Sequence, residues 1–509
     1  MLARIWSASL IGIDAVKIGV EVDLSGGLPG VVVVGLPDTA VQESRERVKA
    51  ALKNTGFPFP MRKVVVNLTP ADLRKEGPIY DLPIAIGILA ASDLVSQALL
   101  DEYLLLGEMS LDGSLRPVSG VMAIAAATRQ MGLKGLILPQ ANAQEAAVVP
   151  GIDVYGFEEI GAVVEFLNHP ASHSPVKVDG VAVLNQSRPN PLDMRDVKGQ
   201  VQARRALEIA AAGGHNLVLI GPPGSGKTML ARRLPGILPD LNFDEALEVT
   251  QIHSVAGLLK EKGALITHRP FRSPHHSASG PSLVGGGSFP KPGEISLAHR
   301  GVLFLDELTE FNRKVLEFLR QPLEDGFVSI TRTRQSVEFP SQFTLIASTN
   351  PCPCGYFGDS VHPCTCTPRL REQYWAKLSG PLMDRIDLQV VVNRLKPEEM
   401  MQQPQGEASA TVRSRVQAAR NRAQVRFQAE TAVQCNADMQ SHHLPQWCQL
   451  DVETRSLLEN AVRKLGLSAR ATDRILKVAR TIADLLASES IKMTHVAEAI
   501  QYRTVDRMQ

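Results

Sequence analysis

Gly221-Pro222-Pro223-Gly224-Ser225-Gly226-Lys227-Thr228 is the stretch that decides how this chain folds. It spells G-x-x-x-x-G-K-[ST], a phosphate-cradling loop, and its neighbours supply the setting such a loop needs. Leu217-Val218-Leu219-Ile220 before it is a continuous apolar run and reads as a buried strand, while Met229 to Leu234 after it reads as a helix. Glycines let the backbone curl until successive N–H groups face one anion, and the positive end of the helix adds to the same field. The spacing predicts that Gly221, Pro222, Pro223, Gly224, Ser225, Gly226, Lys227 and Thr228 line a nucleotide site. Lys227 is expected on the β/γ-phosphates and Thr228 on Mg²⁺.

Working outward, 509 residues are too many for one core, so about two to four domains are expected. Lys and Arg number 54 against 53 Asp and Glu, a net charge of +1. With no global basic field, any contact with a polyanion has to come from a local patch. No apolar run reaches the ~18 residues of a membrane span. Near the N-terminus, Arg4 and a short apolar stretch are soon interrupted by Asp14, a strand-like pattern rather than a secretory leader, so a cytoplasmic location is expected. Six cysteines do not make a disulfide scaffold in a chain this size, but four of them cluster, which points to metal.

Residues 1–168 read as one α/β block. Strand patterns fall at Ala15–Val22, Val31–Val34, Lys63–Asn67 and Gly135–Pro139, and helix patterns at Thr39–Lys53, Leu82–Ala91 and Met122–Met131. Either Asp38 or Thr39 can cap the first helix. Residues 169–192 are rich in His, Ser, Pro and Asn and read as a linker. Residues 193–394 alternate strand and helix around the phosphate loop, as a nucleotide-binding core does. Residues 395–509 read as all-helical, broken near their start by Gln403-Pro404-Gln405-Gly406.

Four further segments sharpen the nucleotide site. Gly301-Val302-Leu303-Phe304-Leu305-Asp306-Glu307 is an apolar strand ending in two acids, Asp306 suited to a water-mediated Mg²⁺ contact and Glu307 to polarising a water. Phe343 to Asn350 is a second apolar strand ending in an amide that can bond a γ-phosphate. Arg385 follows Leu382-Met383-Asp384, and Arg470 follows Ser468-Ala469 at the start of a helix. Either guanidinium can neutralise charge that develops on a transferring phosphoryl group. The set resembles the AAA+ ATPases on their magnesium-chelatase and minichromosome-maintenance side. That resemblance implies Asn350 as sensor 1, Arg385 as an arginine finger reaching a neighbouring subunit, and Arg470 as sensor 2, with Arg474 competing for that role. A finger acting in trans implies a ring, expected to be a homo-hexamer.

Between the phosphate loop and Asp306 lies a long segment with little regular pattern. It contains Phe271-Arg272-Ser273-Pro274-His275-His276 and the glycine-rich stretch Val284–Glu294. In the related proteins this insertion faces the ring channel, which makes Arg272 and His275 candidate DNA contacts. Phe327–Ile330 and Ser336–Phe339 alternate as two strands around Thr331-Arg332-Thr333-Arg334-Gln335, a hairpin with an arginine-bearing tip. It resembles the pre-sensor-1 hairpin of this clade, so Arg332 and Arg334 are expected on DNA phosphates.

Cys352-Pro353-Cys354 and Cys364-Thr365-Cys366 form a C-x-C…C-x-C set directly after Asn350. Four thiolates on one loop can close a structural tetrahedral Zn²⁺ site, with His362 as a spare ligand. In the N-terminal block, Ala71–Pro83, Gly107–Gly113 and Pro117–Gly120 resemble the Lon protease fold. The positions of its serine and lysine fall on Ile79 and Met122, neither of which can be a nucleophile or a base, so the block is expected to be catalytically inactive. The order of the parts resembles the YifB/ComM group of bacterial magnesium-chelatase-like ATPases. The resemblance implies an ATP- and Mg²⁺-dependent DNA helicase that drives branch migration on single-stranded or branched DNA during natural transformation. A chelatase-like motor subunit and a regulatory AAA+ scaffold acting on proteins stand as alternatives.

Overall fold

A computed structural model describes residues 2–185, 192–259, 265–287, 290–332, 335–378, 380–395, 406–430 and 433–503. By packing they form two units, residues 1–187 with 242–267, and residues 188–241 with 268–509.

The first unit is built on a seven-stranded sheet of order β3-β4-β2-β1-β5-β6-β7. Its strands are β1 (Leu2–Ile11), β2 (Asp14–Ser25), β3 (Gly30–Val34), β4 (Lys63–Thr69), β5 (Tyr103–Leu105), β6 (Gly135–Pro139) and β7 (Asp153–Phe157). β1 and β2 form a hairpin in which Leu2 faces Asp23 and Ile11 faces Asp14. Ile18, Val20 and Val22 alternate onto the buried face, as a period of two requires. Helices α1 (Thr39–Asn54), α2 (Asp81–Ala91), α3 (Val121–Gln130), α4 (Gln140–Ala147) and α5 (Ile160–Asn168) complete the α/β layer. Asp38, not Thr39, caps α1, its carboxylate accepting the Val41 N–H at 2.8 Å. Every residue of α2 is buried, Asp81 included. That carboxylate is satisfied by Ser44, by Arg47 Nε at 2.8 Å and by the Met109 N–H at 3.2 Å, as a buried charge must be. Ile79 packs against this core, and Met122, on α3, is fully buried.

One part of the division departs from a boundary at residue 193. The helix Phe243–Val255, contiguous in sequence with the nucleotide core, belongs to the first unit and packs against α3. Its apolar side chains Ala246, Val249 and Ile252 are buried there. Asn242 and Glu245 close a capping box at its start, a local signal of helix that was legible in Asn242-Phe243-Asp244-Glu245.

The second unit centres on a parallel five-stranded sheet of order β9-β10-β13-β8-β14. These strands are β8 (Leu217–Ile220), β9 (Phe271–Arg272), β10 (Val302–Leu305), β13 (Thr344–Thr349) and β14 (Leu388–Val391). β11 (Phe327–Arg332) and β12 (Gln335–Pro340) form a separate antiparallel hairpin. α6 (Val201–Gly213) precedes β8, and α7 (Lys227–Ala231) follows the phosphate loop. The expected helix over 229–234 begins two residues earlier and ends at Ala231, passing into a tighter turn over Leu234–Gly236, where Pro235 cannot donate to a continuing helix. The C-terminal region is helical as expected: α8 (Ser409–Arg426), α9 (Val452–Leu465), α10 (Ala469–Leu485) and α11 (Met493–Gln501). It shares one core with the sheet, Leu217, Phe304, Ile346 and Leu388 lying in the same apolar cluster as Val416, Ile475, Val478 and Val496.

A buried charge set fastens the helices to the sheet. Asp387, 3% exposed, enters β14. Its carboxylate takes the Asn216 N–H at 3.1 Å, faces His215 Nδ1 at 3.3 Å and pairs with Arg474 of α10. His215 Nε2 meets Thr481 Oγ1, also on α10, at 2.7 Å. Burial alone would raise the pKa of Asp387, but Arg474 and His215 outweigh it and hold the carboxyl well below the usual range. Asp387→Ala therefore strands a partly buried guanidinium, and the expected cost is about 3–5 kcal/mol, read as a lowered Tm. Because the folded-state pKa is depressed, the wild-type contribution is present above the unfolded value of about 4 and fades as pH falls below it. The gap in Tm between the two proteins should accordingly narrow in acid.

Candidate active site

The phosphate loop leaves β8 at its carboxyl end. Gly221 is needed for space, since a Cβ there would lie 2.2 Å from the Val392 carbonyl oxygen, and Gly226 for conformation, its φ of +92° opening α7. Lys227 Nζ donates to the Gly221 and Pro222 carbonyls at 2.7 and 3.0 Å and to Asn350 Oδ1 at 3.2 Å. Burial draws its pKa below the ordinary lysine value, and Asp306 and Glu307 oppose that shift. Thr228 Oγ1 donates to Asp306 Oδ2 at 2.8 Å, and Ser348 donates to the other carboxylate oxygen. Two hydrogen-bonded pairs, Lys227 with Asn350 and Thr228 with Asp306, thus meet at the carboxyl ends of β8, β10 and β13, where open parallel sheets bind ligands.

Glu307 follows Asp306 in the left-handed region, at φ +56°. A non-glycine residue held there is strained, and such strain concentrates at functional sites. Its N–H donates to Ser348 Oγ at 3.3 Å, and its half-exposed carboxylate lies 3.6 Å from His276 Nδ1. Ser348, Arg394 and Gln200 were not singled out from the sequence. Arg394 donates to the Pro223 carbonyl at 3.0 Å, and Gln200 to the Ser225 and Asn393 carbonyls at 3.4 and 2.6 Å, so both brace the loop backbone. Only the polar interruption of an apolar strand at Ser348 was visible beforehand; the other two lie far from their partners in the chain.

The remaining candidates are placed as follows. Arg385 pairs with Glu324 and donates to the Pro381 carbonyl at 2.7 Å. Arg470 is exposed at the start of α10, whose cap is Ser468, whereas Arg474 is committed to Asp387. Arg272 grips Glu294 with two bonds of 2.6 and 2.7 Å, which engages the guanidinium within its own chain. His275 bonds Ser277 Oγ at 2.8 Å and stacks on His276, their ring centroids 4.0 Å apart. Arg332 ends β11 opposite Gln335, and Arg334 lies outside the described residues.

The four cysteines do converge. Cys352 Sγ is 3.3 Å from Cys354 Sγ and 3.7 Å from Cys364 Sγ, Cys354 and Cys364 are 3.6 Å apart, and all four sulfurs lie within 4.8 Å of one another. A tetrahedral site with Zn–S bonds of about 2.3 Å requires S···S edges of about 3.8 Å, so the set fits zinc. The N–H groups of Cys354 and Cys366 each donate to a cluster sulfur at 3.4 Å, which favours the thiolate a metal needs. His362 is outside the group and packs on Tyr356.

Family models match three stretches: "Magnesium chelatase, subunit ChlI" over residues 193–400, "Subunit ChlI of Mg-chelatase" over 20–142 and "Magnesium chelatase, subunit ChlI C-terminal" over 406–503. The chain is 46% identical over 510 residues to the uncharacterized protein YifB of Escherichia coli K12, covering 100% of this chain and 98% of that one. It is also 46% identical over 518 residues to the competence protein ComM of Haemophilus influenzae, with the same coverage. A shorter stretch of 116 residues, 22% of this chain and 14% of the relative, is 30% identical to Lon protease 1 of Herpetosiphon aurantiacus.

Two substitutions test the site. Lys227→Ala removes the only side-chain amine bonded to the loop among the described residues, and binding of a fluorescent ATP analogue is expected to weaken by at least roughly tenfold. Glu307→Gln is expected to bind the analogue normally while phosphate release falls by roughly 10²–10⁴-fold.

Proposed function

The chain belongs to the YifB/ComM family of magnesium-chelatase-like AAA+ proteins, and from that premise we propose that it is an ATP-driven motor on DNA, acting in the cytoplasm as a homo-hexameric ring in the recombination of incoming DNA. The observation that carries the ATPase reading is the meeting of two bonded pairs, Lys227 with Asn350 and Thr228 with Asp306, at the loop Gly221–Thr228. Thr228 and Asp306 would hold Mg²⁺, which screens the phosphate charge. Lys227 and Asn350 bind and orient the γ-phosphate, and Glu307 takes the proton of the attacking water. The DNA and competence parts of the reading draw on the ComM relative and on the hairpin β11–β12 with its Arg332 and Arg334 tip.

Arg385 is read as a finger for the neighbouring subunit. In the isolated chain its charge is taken up by Glu324, so assembly has to exchange a carboxylate for a phosphate as its partner, a swap between two anions that a guanidinium fork accepts in similar geometry. Arg470, exposed and uncommitted to Asp387, is read as sensor 2. Arg272 and His275 are read as channel contacts that engage DNA once Arg272 exchanges Glu294 for phosphate.

Hydrolysis measured with and without forked and three-stranded DNA is the test. Stimulation by DNA and salt-sensitive binding support the motor; turnover indifferent to DNA turns the reading toward a chelatase-like or protein-directed machine. Arg332→Ala with Arg334→Ala is expected to lower the slope of log affinity against log salt by about one to two, as two lost phosphate contacts require. Mixing Arg385→Ala subunits with Lys227→Ala subunits should restore part of the turnover that each lacks alone; no recovery would mean that the arginine acts within its own subunit.

A further inference from the structure

We propose that zinc held by Cys352, Cys354, Cys364 and Cys366 sets the affinity of the phosphate loop for nucleotide. The proposal rests on the nucleotide reading of that loop. The cysteine loop and the phosphate loop meet at Gly355, beside Asn350 and Pro351, which also adjoin the phosphate loop. Gly355, directly after Cys354, has a φ of +85°, and a Cβ placed on it would lie 2.8 and 3.0 Å from Pro223 Cδ and Cγ. The backbone beside the cluster therefore abuts a residue of the loop, with room for no side chain between them. Residues 357–360 line a cavity of about 400 Å³ together with Gly221, Pro222 and Pro351. Arg394, on the same cavity, donates to the Pro223 carbonyl.

Residues 355–360 form neither helix nor strand. The contacts of this wall include a cation–π contact, Arg371 lying 4.0 Å over the Phe357 ring, a bond from the Phe357 N–H to Cys352, and the sulfurs at its two ends. On the Asn350 side the chain is anchored without metal: Cys352 is fully buried, and Trp375 Nε1 donates to the Pro351 carbonyl at 3.1 Å. On the far side, Cys364 and Cys366 are only partly buried, and Phe357 to Pro363 run out to the surface between them and Cys354. Metal coordination is thus the cross-link that closes this excursion. Without it only weak contacts hold Cys364 and Cys366 to Cys354, the 3.4 Å bond from the Cys354 N–H to Cys366 Sγ and the 3.6 Å approach of Cys354 and Cys364; the wall at 357–360 then gains conformations, and the Gly355–Pro223 contact loosens. Nucleotide binding then has to order the wall again. Re-ordering even one backbone residue corresponds to roughly tenfold in affinity.

The experiment uses the full-length chain. Zinc content is measured by mass spectrometry, zinc is withdrawn with a high-affinity chelator under reducing conditions, the chelator is removed, and a fluorescent ATP analogue is titrated before depletion, after it, and after zinc is restored. The expected result is about one zinc per chain, a roughly tenfold weaker analogue affinity after depletion, and recovery on re-addition. Cys364→Ser with Cys366→Ser, checked for retained circular dichroism, should behave as the depleted chain and not respond to zinc. Lys227→Ala should keep its zinc while losing the analogue, which separates the two sites. Purified protein without zinc, or depleted protein that binds the analogue as tightly as loaded protein, overturns the proposal. Failure of the zinc-loaded wild type to bind the analogue overturns the nucleotide reading, and this inference with it.

Discussion

The carboxylate of Asp306 is the point on which the nucleotide site depends. It ends β10, and its two oxygens are occupied by hydroxyls from different segments, Thr228 on the first turn after the phosphate loop and Ser348 on β13. A parallel sheet delivers all of its carboxyl ends to one edge, but it does not set the distances between the loops that leave that edge. Here the acid does so, because two charge-assisted bonds draw the loop and the neighbouring strand onto one group. Ser348 then accepts the N–H of Glu307, which lies in a left-handed conformation that few non-glycine residues adopt without support. Asp306 thus also helps, through Ser348, to hold Glu307 in place.

A second buried acid, Asp387, performs the same kind of work between core and helices. Asn216 is shared between the two strands it serves: its side chain accepts the Leu345 N–H at the start of β13 and donates to the Arg385 carbonyl. Arg474 of α10 reaches that same carbonyl while pairing with Asp387. The backbone of Arg385 is therefore held from both sides, by the sheet and by the helical region, while its guanidinium rests on Glu324 at the surface. A network that is fully satisfied in one arrangement favours discrete positions over gradual deformation.

The parts legible in the sequence were those whose signals are local. The phosphate loop, the apolar runs that end in Asp306 and Asn350, and the paired cysteines each carry their chemistry within a few residues of contiguous chain, and the geometry brings these segments together. The choice between Arg470 and Arg474 was not legible, because the two sit on adjacent turns of one helix and only the position of Asp387, 87 residues away, commits Arg474. Arg272 looked like a free basic residue in an irregular insertion for the same reason: its partner Glu294 lies 22 residues on, at the far end of the glycine-rich stretch. Short strands such as β5, three buried residues, show no alternation at all and are specified by the neighbours they pair with. In each case what was missed was a long-range partner, not a residue type.

The helix Phe243–Val255 shows why the division into units cannot be read as a single cut. The chain enters the second unit at residue 188, leaves it after Leu241, and returns at His268. The excursion carries a capped helix that packs on α3 and whose Ala246, Val249 and Ile252 are buried. A chain started after residue 187 would retain every strand of the nucleotide sheet yet leave that helix without α3, on which it packs, and Ser254 without the Glu145 carboxylate it bonds. Burial of each apolar side chain in such a contact is worth on the order of 1 kcal/mol or more. Part of the segment that joins the phosphate loop to Asp306, residues 242–267, therefore folds with the first unit and not with the nucleotide sheet.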